Sequence, residues 1–254
     1  MALDGFRPQL NRPFVGYDEH VASRFWRAAS IAGERLGVRY RGLERVPRGG
    51  ALFVMNHAFG WDAVFPMAAI RQATGRRVWA LGEHIWWKLP FVRTFVSRVG
   101  TVDGTREHAL ELLRSGELVL VMPGGMREAL KPVELRYRLL WGDRLGFVRV
   151  AHEAGVPIVP IAAIGADELV ELVGDAYERG RRWLGGALPL PRPKWGLPWV
   201  HPTPLSYELG EPIEVRAYPD ENDEHLWRRV RDEVRGSLEG MLDEALAARV
   251  GAAG

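Results

Sequence analysis

Apolar and polar positions along the chain follow two different periods. Three short runs are apolar at nearly every position: Ala51-Leu-Phe-Val-Met55, Leu118-Val-Leu-Val-Met122 and Val156 to Ile164. A run of this length without a polar face predicts a strand of a largely parallel sheet covered on both sides. Elsewhere the apolar residues recur every three or four positions, the period of a helix with one buried face. Val21, Phe25, Ala29, Ala32 and Leu36 predict an amphipathic helix over 20–37, ended by Gly37. Further helices are expected over Asp62 to Thr74, over Glu107 to Ser115 ahead of Gly116, and through Phe147, Val150, Ala151 and Ala154 up to Gly155. From Asp223 the residues Leu226, Val230, Val234, Leu238, Leu242 and Leu246 recur every fourth position, predicting a long helix over 223–248.

Strands alternating with helices give an α/β fold, with a mostly parallel central sheet flanked by helices on both faces. The stretch 181–204, WLGGALPLPRPKWGLPWVHPTP with its flanking arginines, is too rich in Pro and Gly to be helical throughout and reads as an irregular insertion. No polar linker separates two self-sufficient halves, so residues 1–254 are expected to form a single domain. In open parallel sheets ligands bind beyond the carboxyl ends of the strands. Two such ends carry distinctive residues: Asn56-His57 after the first apolar run and Pro123-Gly124-Gly125 after the second.

Composition then narrows the chemistry. With no cysteine there is no disulfide, no thiolate nucleophile and no Cys-ligated metal. Thirty-four Lys and Arg against thirty-two Asp and Glu leave a net charge of +2, which argues against a uniformly basic nucleic-acid binder. His84, His108, His152 and His201 show no metal-ligand spacing, and each reads as structural. The residues His57 and Asp62 stand five apart. On one continuous helix they would point about 140° apart. With His57 on a turn, Gly60 allowing a bend and Asp62 in the first turn of the next helix, the carboxylate can reach the imidazole. A carboxylate-held histidine suits a general base. The alternative is a histidine satisfied by a backbone carbonyl beside a helix-capping aspartate. Paired glycines at 124 and 125 let backbone N–H groups approach a ligand, and Arg127 adds a cation; the alternative there is a plain turn.

Taken in order, these blocks resemble the glycerolipid and lysophospholipid acyltransferase superfamily over roughly residues 45–215. Asn56-His57 with Asp62 matches the family's NHxxxxD. Gly100-Thr-Val-Asp-Gly-Thr-Arg106 keeps the Gly and Arg of GxxFxxR, with Asp103 replacing the aromatic. Met122-Pro123-Gly124-Gly125-Met126-Arg127 stands where FPEGTR is usual, and Val156-Pro157-Ile-Val-Pro160-Ile161 matches VPxxPV. The Pro-Gly-Gly block with Arg127-Glu128-Ala129, and the segment Tyr137 to Phe147, are similar to the mono- and diacylglycerol acyltransferase-like branch. Gly124 in place of the family's glutamate puts a phosphorylated acceptor in question.

The resemblance implies that His57, oriented by Asp62, deprotonates an acceptor hydroxyl, which attacks an acyl thioester. The donor would be acyl-CoA or acyl-carrier-protein, with no cofactor and no metal. Asn56, Arg106, Pro123, Gly124, Gly125, Arg127 and Glu128 are the expected substrate contacts, with N–H groups near Gly124 and Gly125 as oxyanion donors. Two other readings stay open: a hydrolase in which His57 activates water, and a non-catalytic lipid-binding module.

Lipid substrates direct attention to the membrane. A spanning helix needs roughly 20 apolar residues, and Val156 to Ala166 is too short. The stretch Met1 to Phe14 lacks the apolar core of a secretory signal. The expected location is therefore cytoplasmic, peripheral on the inner face of the cell membrane. Contact is expected through two Trp-rich basic segments, 79–98 with Trp79, Trp86 and Trp87, and 181–204 with Trp183, Trp195 and Trp199; the alternative, favoured for Trp79 beside an apolar run, is that these rings fill the core.

Overall fold

The structure is a computed structural model that describes residues 13–58, 62–169 and 203–253. Its centre is a seven-stranded sheet in the order β1-β7-β6-β2-β5-β3-β4. The strands are β1 Arg39–Arg41, β2 Ala51–Met55, β3 Val78–Gly82, β4 Thr101–Asp103, β5 Leu118–Val121, β6 Ile158–Ile164 and β7 Ser206–Leu209. Every pairing is parallel except β6 with β7. The α/β class with a mostly parallel sheet expected from the sequence is what the chain adopts.

The all-apolar strands explain the two-sided architecture. Along β2, Leu52 and Val54 enter one core while Ala51, Phe53 and Met55 enter the other. In β6 the same alternation sends Ile158, Ala162 and Ile164 to the first core and Val159, Ile161 and Ala163 to the second. Neither strand has a solvated face, so neither can carry alternating polarity. Helices α1 Glu19–Arg35, α2 Val64–Thr74 and α3 Pro90–Arg98 lie against one another on one side. On the other, α4 Arg106–Arg114 and α6 Gly146–Ala154 pack together, and α8 Asp223–Ala253 rests on α6 and β6. Short helices α5 Gly125–Ala129 and α7 Ala166–Leu169 follow β5 and β6.

Local chemistry fixes most boundaries. Asp18 accepts from the Val21 N–H at 3.1 Å and starts α1, and Thr105 does the same for α4 with the His108 N–H at 3.2 Å. Gly155 closes α6 in the left-handed conformation, φ 66°. The long helix α8 buries Leu226, Val230, Val234, Leu238 and Leu242 as expected, and extends to Ala253.

Several expectations need correction. In α1 the buried residues are Ala22, Trp26, Ala29 and Gly33, while Leu36 is 65% exposed. The buried stripe shares Ala29 with the apolar one and otherwise lies one residue on; at Gly33 close approach requires a small residue, since a Cβ there would stand 2.9 Å from Tyr40 Oη. Trp79 lies in β3 and is buried, its indole N–H donating to Glu117 at 3.1 Å, and Trp87 is buried too. Those two tryptophans therefore belong to the interior rather than to a membrane-facing surface. Helix α2 begins at Val64, so Asp62 sits in the turn before it rather than in its first turn. Gly60, Trp183, Trp195, Trp199, His201 and residues 181–202 as a whole lie outside the described residues.

Candidate active site

β2 delivers Asn56 and His57 to the carboxyl edge of the sheet, where β5 and β6 flank it in parallel. Asn56 is consumed in holding that edge together. Its side-chain amide donates to the Ala163 carbonyl at 2.9 Å, and its carbonyl oxygen accepts from the Ala163 N–H at 2.7 Å. It is 1% exposed, so the expected substrate contact is replaced by a clasp between β2 and β6.

His57 and Asp62 do meet. His57 Nδ1 lies 3.3 Å from Asp62 Oδ2, with both side chains buried. The same carboxylate oxygen accepts from the Ala58 N–H at 2.6 Å, and Oδ1 accepts from the Ala63 N–H at 3.2 Å. Asp62 thus holds the Ala58 and Ala63 N–H groups as well as the ring, and the partner of His57 Nδ1 is this carboxylate rather than a backbone carbonyl. His57 Nε2 has no hydrogen-bond partner among the described residues. Burial is the largest single influence on the His57 pKa and lowers it. The combined pull of the Asp62 charge, its hydrogen bond and the Glu128 charge outweighs burial, so the net shift is upward from 6.5.

The backbone of His57 is clamped from both sides by residues of the segment after β5. Glu128, fully buried, accepts from the His57 N–H at 2.7 Å with Oε1 and from the Leu140 N–H at 2.7 Å with Oε2. Lys131 Nζ donates to the His57 carbonyl at 2.9 Å and pairs with Asp167 Oδ1 at 2.8 Å. Asp167 also accepts from the Tyr137 N–H at 2.6 Å. Burial pushes the Glu128 carboxyl above its ordinary range, opposed by the Lys131 charge and the two amide bonds. Glu128, expected as a substrate contact, is therefore held as a brace behind His57 with both carboxylate oxygens engaged by backbone N–H groups. Sequence reasoning missed Lys131 and Asp167, because their partners are 74 and 36 positions away from them or joined only by the fold.

The Pro-Gly-Gly turn stands beside this brace. A Cβ on Gly124 would lie 2.1 Å from Glu128 Oε2, which is why this position is glycine. Gly125 needs its φ of 54° and its N–H donates to the Met122 carbonyl at 3.0 Å, so that N–H is not a free oxyanion donor. The buried Pro123 presents its carbonyl to Arg144. Of the two expected cations, Arg127 is exposed on α5, close in sequence to the turn. Arg106 begins α4 and pairs with Glu153 of α6, outside the hydrogen-bond network around His57. Three of the four histidines read as structural have partners: His84 meets Asp103 at 2.5 Å, His108 meets the Asp103 carbonyl at 2.9 Å, and His152 accepts from Trp227 at 3.2 Å. Among the described residues no group of three His, Cys, Asp or Glu could hold a metal ion.

Comparison with known proteins finds relatives of the chain in sequence and in fold. The model of the family described as Acyltransferase matches residues 37–164. The protein described as DGAT1/2-independent enzyme synthesizing storage lipids is 32% identical over 205 residues in Mus musculus and over 206 in Homo sapiens. These alignments cover 80% of this chain but only 60% and 61% of those proteins. An uncharacterized protein of Mycobacterium tuberculosis is 30% identical over 256 residues, covering 96% of this chain and 69% of its own length. In structure the chain is similar to the 1-acyl-sn-glycerophosphate acyltransferase PlsC from Thermotoga maritima. The TM-score is 0.54 at 18% identity, over 87% of this chain and 80% of that one, a likeness of fold.

Proposed function

Since the chain belongs to the Acyltransferase family, we propose that it moves a fatty acyl group from an acyl thioester to a hydroxyl of a lysophospholipid or acylglycerol, with His57 as general base. The observation that carries this reading is the buried His57–Asp62 pair, 3.3 Å apart at the carboxyl edge of β2. Asp62 engages Nδ1, so Nε2 is the nitrogen left to take the acceptor's proton. The oxygen freed of that proton attacks the thioester carbonyl. The tetrahedral intermediate collapses by breaking the C–S bond, and the thiolate leaves with the proton returned by His57. Atoms balance without a covalent enzyme intermediate and without a cofactor: ester and free thiol are the products.

The donor is acyl-CoA or acyl-carrier-protein. Gly124, whose N–H makes no hydrogen bond among the described residues, is the remaining backbone candidate for stabilising the oxyanion, and Arg127 is the candidate for a phosphate on either substrate. No helix among the described residues is long and apolar enough to cross a membrane. A lipid acceptor therefore points to a chain that works at a bilayer surface. Thiol release from palmitoyl-CoA, with and without lysophospholipids, monoacylglycerol and diacylglycerol, tests the reaction. Release that requires an acceptor and yields its ester supports the transfer. Acceptor-independent release of free fatty acid would establish hydrolysis instead.

A further inference from the structure

Exposed apolar side chains concentrate on one short helix. Leu89, Phe91 and Phe95 are 42%, 92% and 43% exposed, all within or beside α3. Phe91 and Phe95 are four residues apart and share a helix face, whereas Ser97 is turned inward and buried. Phe95 meets Phe25 of α1 edge to face, with ring centroids 5.4 Å apart, so the patch continues onto the neighbouring helix. A fully solvated phenylalanine at Phe91 contributes nothing to either core.

The segment that carries this patch has charges of one sign. From Ile85 to Val102 the chain carries Lys88, Arg93 and Arg98 and no acid. Arg98 is bound to Asp18, but Lys88 is exposed and makes no ion pair among the described residues. Aromatic rings bordered by cations are the side-chain set that partitions into the headgroup region of a bilayer. A stable protein partner would need about 800 Å² of this surface. Two phenyl rings supply about 150–250 Å² each, which falls short of that area.

The patch also adjoins the site. Glu83, immediately before the single 3-10 turn that leads into α3, accepts from the Met126 N–H at 3.4 Å, just past the Pro-Gly-Gly turn. At their carboxyl ends β3 and β2 are separated only by β5, roughly 10 Å at the usual strand spacing.

We propose that the face of Leu89, Phe91 and Phe95, with Lys88 beside it, docks on an anionic lipid bilayer and so places the bilayer surface beside His57. The lipid acceptor presupposes the acyl-transfer reading, whereas the docking itself does not. This surface replaces the buried Trp79 and Trp87 as the membrane-facing part of the 79–98 segment.

The test is co-sedimentation of the full chain with vesicles of phosphatidylcholine plus phosphatidylserine, and of phosphatidylcholine alone. Wild type is expected to prefer the anionic vesicles, and Leu89→Ser/Phe91→Ser to bind them at least ~10-fold more weakly with an unchanged circular dichroism spectrum. The same variant should keep its rate on a water-soluble, short-chain donor and acceptor within about twofold while losing rate on vesicle-borne acceptor. Binding to anionic vesicles that is absent in wild type, or unaltered in the variant, overturns the docking. So does a wild-type dimer without vesicle affinity that the variant converts to monomer, since the patch would then join two copies. A wild type that binds vesicles through this face but releases no thiol leaves the docking standing and removes the acyl-transfer reading.

Discussion

Replacing Lys131 by Met should be among the most damaging single changes at this site, although Lys131 touches neither His57's ring nor any expected substrate. Its ammonium and the Asp167 carboxylate are 3% and 4% exposed and 2.8 Å apart. Methionine fills a similar volume but, among the described residues, leaves Asp167 with the Tyr137 N–H at 2.6 Å alone, and removes the Lys131 donor from the His57 carbonyl. Breaking a buried pair by removing one partner costs about 3–5 kcal/mol, mostly as an uncompensated buried charge. An orphaned carbonyl has a penalty of about 1–3 kcal/mol when no water reaches it. Taking about 4 kcal/mol for the two overlapping effects, and about 2–4 °C per kcal/mol for a chain of this size, Tm should fall by about 8–16 °C. Urea unfolding of wild type, Lys131→Met, Asp167→Asn and the double variant measures this directly. The double variant should lose less than the two singles added together, with a coupling of about 0.5–3 kcal/mol. At a temperature where Lys131→Met is still folded, kcat should drop more than KM rises, because the His57 backbone has lost one of its two clamps. A Lys131→Met protein within about 1 kcal/mol of wild type, or strictly additive singles, would refute the clamp.

The titration of His57 gives a second test. Asp62 and Glu128 hold its pKa above 6.5 against burial, and the base must be neutral to act, so kcat/KM should fall as pH drops through a value above 6.5. Asp62→Asn removes the largest upward influence and should move that acid limb to lower pH while lowering the plateau; a limb that stays in place contradicts the pairing. The raised native pKa also means that this pair stabilises the fold fully below about 6.5, and that the contribution fades as pH rises through the native value. Gly124→Ala sets a methyl 2.1 Å from Glu128 Oε2, an oxygen fixed by the Leu140 N–H, and should destabilise by about 1–3 kcal/mol, read as a lowered Tm. Wild-type Tm in Gly124→Ala would show that Glu128 is not held as described.

What the sequence reveals depends on how local each cause is. The strands β2, β5 and β6 are legible because burial on both faces leaves them no polar position, and Gly155 marks the end of α6 because only a left-handed residue closes it. β3 is harder: Trp79 among Arg76 and Arg77 has the look of an interfacial tryptophan. Its indole N–H instead reaches Glu117, and the Arg77 guanidinium lies 5.7 Å from its ring centroid. β7 carries no signal that it runs antiparallel to β6, since that follows from where the chain returns after residues 170–202. Spacing and turn chemistry suffice for His57 and Asp62, which are five apart in sequence and 3.3 Å apart in space. They do not suffice for Asn56, whose partner Ala163 is 107 positions away, or for Glu128, which next to a glycine turn reads as a ligand contact until its two backbone donors are seen.

The central claim is that the buried His57 acts on an acceptor hydroxyl as a general base. Its most direct test is the rate of ester formation by His57→Ala, measured beside wild type under saturating donor and the acceptor that wild type uses. General-base catalysis is worth about 10²–10⁴ in rate, so the variant should lose at least about 100-fold in kcat while remaining folded and retaining its vesicle binding. A folded His57→Ala that keeps more than about a tenth of the wild-type rate would contradict the account, because the proton would then be taken by some other group.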